Sequence, residues 1–170
     1  VAEHDLSLVK LYEGHTDALA VMHETDPTAT PIAGATWGLW AAEPPDGRTV
    51  VEDLGADGVR LNGVKRWCSG AGHVSHGLLT AWWPDGRGPQ LVRVAMDQPG
   101  VRVTSEAWHA VGMAGSASVD VTFNQARGEC VGVEAAYQLA GQTMACNMVH
   151  EVAQEGVQAF IDKRNPAWRT

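Results

Sequence analysis

From Asp5 to about Met22 the apolar residues Leu8, Leu11, Ala18, Leu19 and Met22 recur at three- and four-residue steps, with Lys10, Glu13 and Asp17 between them. That spacing predicts an amphipathic helix. The Thr- and Pro-rich stretch 25–31 ends it and acts as a linker. Between Ala35 and Ala126 the period falls to two and turn dipeptides become frequent: Asp57-Gly58, Asn62-Gly63, Asp85-Gly86 and Pro99-Gly100. This predicts strands near 36–42, 50–54, 59–62, 65–69, 77–83, 90–96, 101–108 and 119–124. Asn62-Gly63 supplies the two positive-φ residues of a tight hairpin turn, so 59–62 and 65–69 read as the arms of one hairpin. Many short strands with regular turns indicate an antiparallel barrel or sandwich. From Glu134 to Lys163 helical spacing returns through Tyr137, Ala140, Met144, Met148, Val152 and Phe160, and Pro166 follows its end.

Composition narrows the classes. With 170 residues, 45% apolar and 19% charged, the chain has enough material for one buried core. The net charge of −8 and scattered Lys and Arg argue against nucleic acid, which requires clustered basic charge. No stretch approaches the roughly 20 apolar residues of a membrane span. Cys68, Cys130 and Cys146 are odd in number and lack C-x-x-C spacing, which fits reduced thiols and a cytoplasmic location. Two amphipathic helices beside one β-domain leave apolar faces that expect partners, hence a homo- or hetero-oligomer.

Two blocks carry candidate chemistry. The first is Val59 to Ala71, Val-Arg-Leu-Asn-Gly-Val-Lys-Arg-Trp-Cys-Ser-Gly-Ala; the second is Val111 to Phe123, Val-Gly-Met-Ala-Gly-Ser-Ala-Ser-Val-Asp-Val-Thr-Phe. Trp67 offers a flat apolar surface, and Ser69, two residues on, is expected on the same strand face. Such a pair suits a flat heterocycle with hydrogen-bonding edges.

In order and spacing these blocks resemble the middle β-domain of the acyl-CoA dehydrogenase family. The matching positions are Leu61, Gly63, Lys65, Trp67, Cys68 and Ser69, then Gly112, Met113, Gly115, Ser116, Ser118 and Phe123. The resemblance implies an α+β fold: an antiparallel β-barrel of about 7–8 strands flanked by an N-terminal and a C-terminal amphipathic helix. It divides the chain into 1–31, the end of a helical domain; 32–130, the barrel; and 131–170, the start of a second helical domain. It also implies FAD as cofactor, an acyl-CoA or related thioester as substrate, and α,β-dehydrogenation as the reaction. The implied cofactor-binding residues are Trp40, Ala41, Ala42, Trp67, Cys68 and Ser69. The family's first cofactor strand ends in a Thr-Glu-Pro motif, matched here by Ala42-Glu43-Pro44, so a hydroxyl donor is missing. Flavin monooxygenases of the same superfamily share the Trp-x-Ser-Gly pattern at 67–70. A catalytically silent barrel that completes a partner's site is the third reading.

No catalytic base is assigned: Glu134, Glu151 and Glu155 lie on the C-terminal helix without a motif. Lys65, Arg66 and Arg102 are the cations an anionic coenzyme would need, and Arg48 is a candidate phosphate partner. His73-x-x-His76 lacks further ligands for a metal. Cys68 is expected to alternate into the core beside Ser69. Gly112 to Ser116 reads as a glycine-bent entry to a strand.

Overall fold

The computed structural model describes residues 5–28, 30–44, 48–104, 108–109, 111, 113–132, 158, 162–164 and 167. The chain divides into two compact units, Val1–Val133 and Glu134–Thr170. Of the helix expected over 134–163, all but residues 158, 162 and 163 lie outside the described residues, Glu134, Cys146, Glu151 and Glu155 among them. In the second unit the described contacts include Asp162 N–H donating to the Gln158 carbonyl oxygen at 2.9 Å.

The first unit opens with α1 (Leu6–Thr25). The Asp5 side chain accepts from Ser7 N–H and Leu8 N–H, satisfying two of the donors that a helix start leaves free. Among the described residues seven strands follow: β1 (Trp37–Trp40), β2 (Thr49–Asp53), β3 (Val59–Cys68), β4 (His76–Trp82), β5 (Pro89–Ala95), β6 (Val101–Val103) and β7 (Val119–Val131). The ring β4-β2-β3-β7-β5 closes because β5 returns to pair with β4, while β1 adds to β4 and β6 to β7. Closure removes exposed sheet edges. The expected wholly antiparallel barrel is corrected to a mixed one, since β1 and β2 both pair with β4 in parallel.

Strand alternation sorts the two faces. Val51, Val59, Leu61, Leu79, Val92, Val94, Val121 and Phe123 fill the barrel with Trp40 and Cys68. Trp37, Leu78 and Leu91 face outward and pack under Ala18, Leu19, Val21 and Met22 of α1. Hence β4 is buried on both faces through Gly77 to Ala81. The helix covers β1 with its C-terminal half, whereas Leu6, Leu8 and Tyr12 near its start remain exposed.

Two sequence expectations fail at backbone level. There is no hairpin at Asn62-Gly63: β3 runs straight through, paired with β2 on one side and β7 on the other. Gly63 is required for a different reason. It adopts φ 115°, and a Cβ there would meet the Arg48 carbonyl oxygen at 2.5 Å, so the glycine permits close approach of two strands. The last strand is longer than 119–124 and continues to Val131 past an extra residue, Gln125, at φ 59°. The Asn62 Oδ1 accepts from both Gln125 N–H and its side-chain amide at 2.9 Å, which holds the bulge in place.

Candidate functional site: a bulged tryptophan on the barrel rim

Strict alternation from the buried Leu61 and Lys65 would bury Trp67 as well, but a bulge intervenes, and the core position expected for Cys68 is the one observed. Between Lys65–Val121 and Cys68–Val119, three steps on β3 face two on β7, so one extra residue is accommodated. Trp67 takes φ 59°, a left-handed conformation rare for a bulky residue. The bulge turns its indole outward, 55% exposed, and swings Cys68 into the core at 0%. Backbone strain of this kind costs on the order of 1–3 kcal/mol and is retained where neighbouring structure enforces it. Here the enforcement is local: Ser69 N–H donates to the Trp67 carbonyl oxygen at 3.0 Å, and Gly70 N–H donates to the Ser116 carbonyl oxygen at 2.8 Å.

Ser69 follows the strand end and is half-buried. Its hydroxyl lies 2.8 Å from that of Ser118, which lies 3.4 Å from the hydroxyl of Ser116. Ser116 donates to the Met113 carbonyl oxygen at 2.9 Å. Ser116 and Ser118 are buried. The segment before β7 is a 3-10 turn, Ala114–Ser116, closed by Ala117 in a left-handed conformation. It is therefore a turn that delivers hydroxyls, not simply a bent strand entry.

The other wall begins at Trp40. Its indole is buried, and its Nε1 donates to the Ser69 carbonyl oxygen at 3.1 Å. Gly38 and Gly77, partners across β1 and β4, make room for this ring, because a Cβ on either would collide with it. Beyond Trp40 the strand ends, and Ala41 and Ala42 are exposed. Glu43 then returns the chain to the barrel: its carboxylate accepts from the Lys65 ammonium and the Thr80 hydroxyl. Lys65 also donates to the Thr80 carbonyl oxygen at 2.9 Å and hydroxyl at 2.7 Å.

Lys65 is only 1% exposed. Burial lowers its pKa from the ordinary 10.5, and Glu43 opposes that shift. Lys65 is thus a structural cation, which corrects the expectation that it serves an anionic coenzyme. Arg66 Nε stands 3.9 Å from an Asp120 carboxylate oxygen. Arg48 lies over the Trp82 ring at 4.3 Å. Arg102 is exposed. The Cys68 side chain cannot face a ligand on the rim; burial pushes its thiol pKa far up, and Sγ donates to the Lys65 carbonyl oxygen at 3.3 Å. His76 packs on Trp37, with ring centroids 4.8 Å apart, and its Nδ1 lies 2.9 Å from the Ser75 hydroxyl.

The structure joins Trp40 to Ser69 by a hydrogen bond, with Ala41 and Ala42 following Trp40 and Trp67 preceding Ser69 in the chain, and turns the Cys68 side chain into the core. Sequence reasoning named Ser118 only as a motif position and missed its contact with Ser69. A serine immediately ahead of an apolar strand entry gives no sign of its partner 49 residues away. Two clefts of about 430 and 360 Å³ lie elsewhere, beside Arg93 and Ile32, and neither is lined by Trp67 or Ser69. The rim is an open face suited to a flat group laid upon it. Its donors and acceptors fit a flavin: an exposed indole, accessible backbone at 41–42, and a hydroxyl whose proton can point either way.

Known proteins share this architecture. FMN-bound TdsC from Paenibacillus sp. A11-2 is 26% identical, with a TM-score of 0.60 over 74% of this chain and 35% of that one. Methanesulfinate monooxygenase MsuC from Pseudomonas fluorescens is 27% identical, with a TM-score of 0.58 over 75% of this chain and 35% of that one. An acyl-CoA dehydrogenase from Geobacillus kaustophilus is 19% identical, with a TM-score of 0.52 over 64% and 32%. This chain has the acyl-CoA dehydrogenase-like flavoprotein fold in its barrel and preceding helix. In sequence it is 31% identical over 153 residues to enoyl-CoA hydratase domain-containing protein 3, mitochondrial, of Danio rerio, covering 88% of this chain. The chain spans about half the length of that curated relative, 47%. No family model matches. Among the described residues no helix is long and apolar enough to cross a membrane.

Proposed function

We propose that this barrel holds a flavin against Trp67, with Ser69 and the backbone of Trp40, Ala41 and Ala42 at the ring edge, in an oxidoreductase. The observation that carries the reading is the bulge at Trp67: strain and solvent exposure together at a large indole, beside a hydroxyl, are hard to explain by packing alone. Bound there, the flavin would supply the electron-transfer chemistry. The protein's part is to cover one ring face with Trp67, orient the edge with Ser69, and keep the 40–44 segment in register through Trp40 and Glu43.

For the reaction, we favour oxygenation of a small organic substrate with FMN. The monooxygenase MsuC and FMN-bound TdsC are closer in sequence than the acyl-CoA dehydrogenase. The geometry adds weight, because Lys65 is buried against Glu43 and unable to meet a coenzyme A phosphate. The second reading is dehydrogenation of an acyl thioester with FAD. It is favoured by the motif match and by the CoA-related name of the relative from Danio rerio. A cytoplasmic, oligomeric protein with domains divided near 31 and 130 suits both.

Absorbance titration of the purified protein with FMN and FAD tests the cofactor. Anaerobic mixing with acyl-CoAs then separates the reactions: bleaching of bound flavin by an acyl-CoA supports dehydrogenation. No bleaching, with oxygen-dependent turnover of an added small substrate once the flavin is reduced, supports oxygenation. Absence of any flavin binding overturns the whole reading.

A further inference from the structure

Ser69 is the only hydroxyl assigned above to the ring edge, yet its own proton has no fixed destination. Its oxygen lies 2.8 Å from the Ser118 oxygen, and either atom can be the donor. Ser116 does not resolve the choice: its proton is engaged by the Met113 carbonyl oxygen at 2.9 Å. That leaves the Ser116 oxygen as an acceptor for Ser118 at a long 3.4 Å. Ser118 therefore has two arrangements. It donates to Ser69, freeing the Ser69 proton for the rim; or it donates toward Ser116 and accepts from Ser69, leaving the Ser69 oxygen free to accept at the rim. Ser116 and Ser118 are buried at 1% and 7% exposure, so water does not readily substitute for either partner.

The two arrangements match the two demands of a flavin edge. The central ring nitrogen presents a lone pair when oxidised and an N–H when reduced. We propose that Ser118 is a positioning residue that lets Ser69 reverse its hydrogen bond between the redox states, and so helps set the flavin potential. This rests on the flavin reading above. Removing the Ser118 hydroxyl acts unequally. With oxidised flavin, Ser69 still donates to the ring and merely loses an incoming bond. With reduced flavin, Ser69 must accept from the ring, and its own proton is left without a buried acceptor, the costlier defect.

The experiment compares dissociation constants for oxidised and reduced FMN in the protein and in Ser118→Ala, with the midpoint potential of the bound flavin as an independent readout. Thermal unfolding of the flavin-free proteins checks that both fold. The expected result is a preferential loss of reduced-flavin affinity of about tenfold, equal to a fall in potential of about 30 mV for a two-electron couple. Ser118→Thr, which retains the hydroxyl, restores the protein's own ratio. On a Ser69→Ala background, Ser118→Ala has no further effect on the ratio, because the coupling runs through Ser69. If Ser69→Ala weakens flavin binding while Ser118→Ala leaves the ratio of the two affinities unchanged, the relay is wrong and the flavin site stands. If Ser118→Ala changes the ratio equally with and without Ser69, the relay is again wrong. If Ser69→Ala leaves the affinity for flavin untouched, or none binds, the site itself is wrong and the relay falls with it.

Discussion

The Trp40 indole Nε1 donates to the carbonyl oxygen of Ser69 at 3.1 Å, joining the end of β1 to the turn that follows β3. This bond crosses 29 residues of sequence and sets the two walls of the rim against each other. Trp40→Phe keeps most of the buried ring and removes the donor. A loss of about 0.5–1.5 kcal/mol is expected for the hydrogen bond, with more if the carbonyl is left unpaired. Urea unfolding of the flavin-free protein measures this, and the same variant should retain less flavin.

The second cross-brace is ionic. The Lys65 side chain is buried and that of Glu43 is 25% exposed, so removing Glu43 leaves an uncompensated buried charge and costs up to about 3–5 kcal/mol, whereas replacing both by apolar residues is often near neutral. Glu43→Leu is therefore expected to destabilise strongly, and combining it with Lys65→Met to recover much of that loss. The double variant should still bind flavin poorly, since the 41–44 segment has lost its anchor. Full flavin retention by a stable double variant would show that the brace does not position the site.

The barrel and helix were legible because their signals are local. Apolar spacing marks α1, and short alternating runs mark β1, β2, β4 and β5 to within a few residues, whereas β3 is split in two, β6 overrun and β7 cut short. The Trp67 motif was legible only by resemblance. What remained hidden depends on backbone geometry or distant partners. Asn62-Gly63 reads as a turn because Gly tolerates positive φ, yet the same tolerance serves close strand approach at Arg48. The core position of Cys68 follows the expectation, but the bulge that turns Trp67 outward leaves no mark on the residue pattern, because one inserted position shifts the alternation by one. Lys65 reads as a cation for an anionic coenzyme because its partners Thr80 and Glu43 lie 15 and 22 residues away in the chain.

His76 offers a pH test on the opposite end of β1. Partial burial, and secondarily the Arg93 charge, lower its pKa below the usual 6.5. Between that depressed value and 6.5 the unfolded chain takes up the proton before the folded one, so stability falls as pH drops through this window and rises as pH climbs. His76→Gln should flatten that slope in denaturant unfolding measured across the window. Arg93→Gln should move the imidazole titration, followed by NMR, back toward 6.5. A His76 resonance titrating above 6.5 would contradict the environment described.

Trp67 permits the sharpest separation of folding from function. Its left-handed φ of 59° is unfavourable for a bulky residue and natural for glycine, and its indole is 55% exposed, so little core packing is lost on truncation. Trp67→Gly is therefore expected to leave stability unchanged or raise it by up to about 1 kcal/mol, relief of strain opposing the greater chain entropy of glycine. Flavin retention should fall sharply in the same variant, because the flat surface offered to the ring is gone. Trp83→Ala serves as the comparison: Trp83 is half-buried and carries Arg87 over its ring at 4.0 Å. That variant should lose stability while keeping flavin. The measurements are the unfolding midpoint and the flavin-to-protein absorbance ratio of each variant. Equal flavin ratios in the two would remove Trp67 from the site, and marked destabilisation by Trp67→Gly would show that the bulge is held for packing.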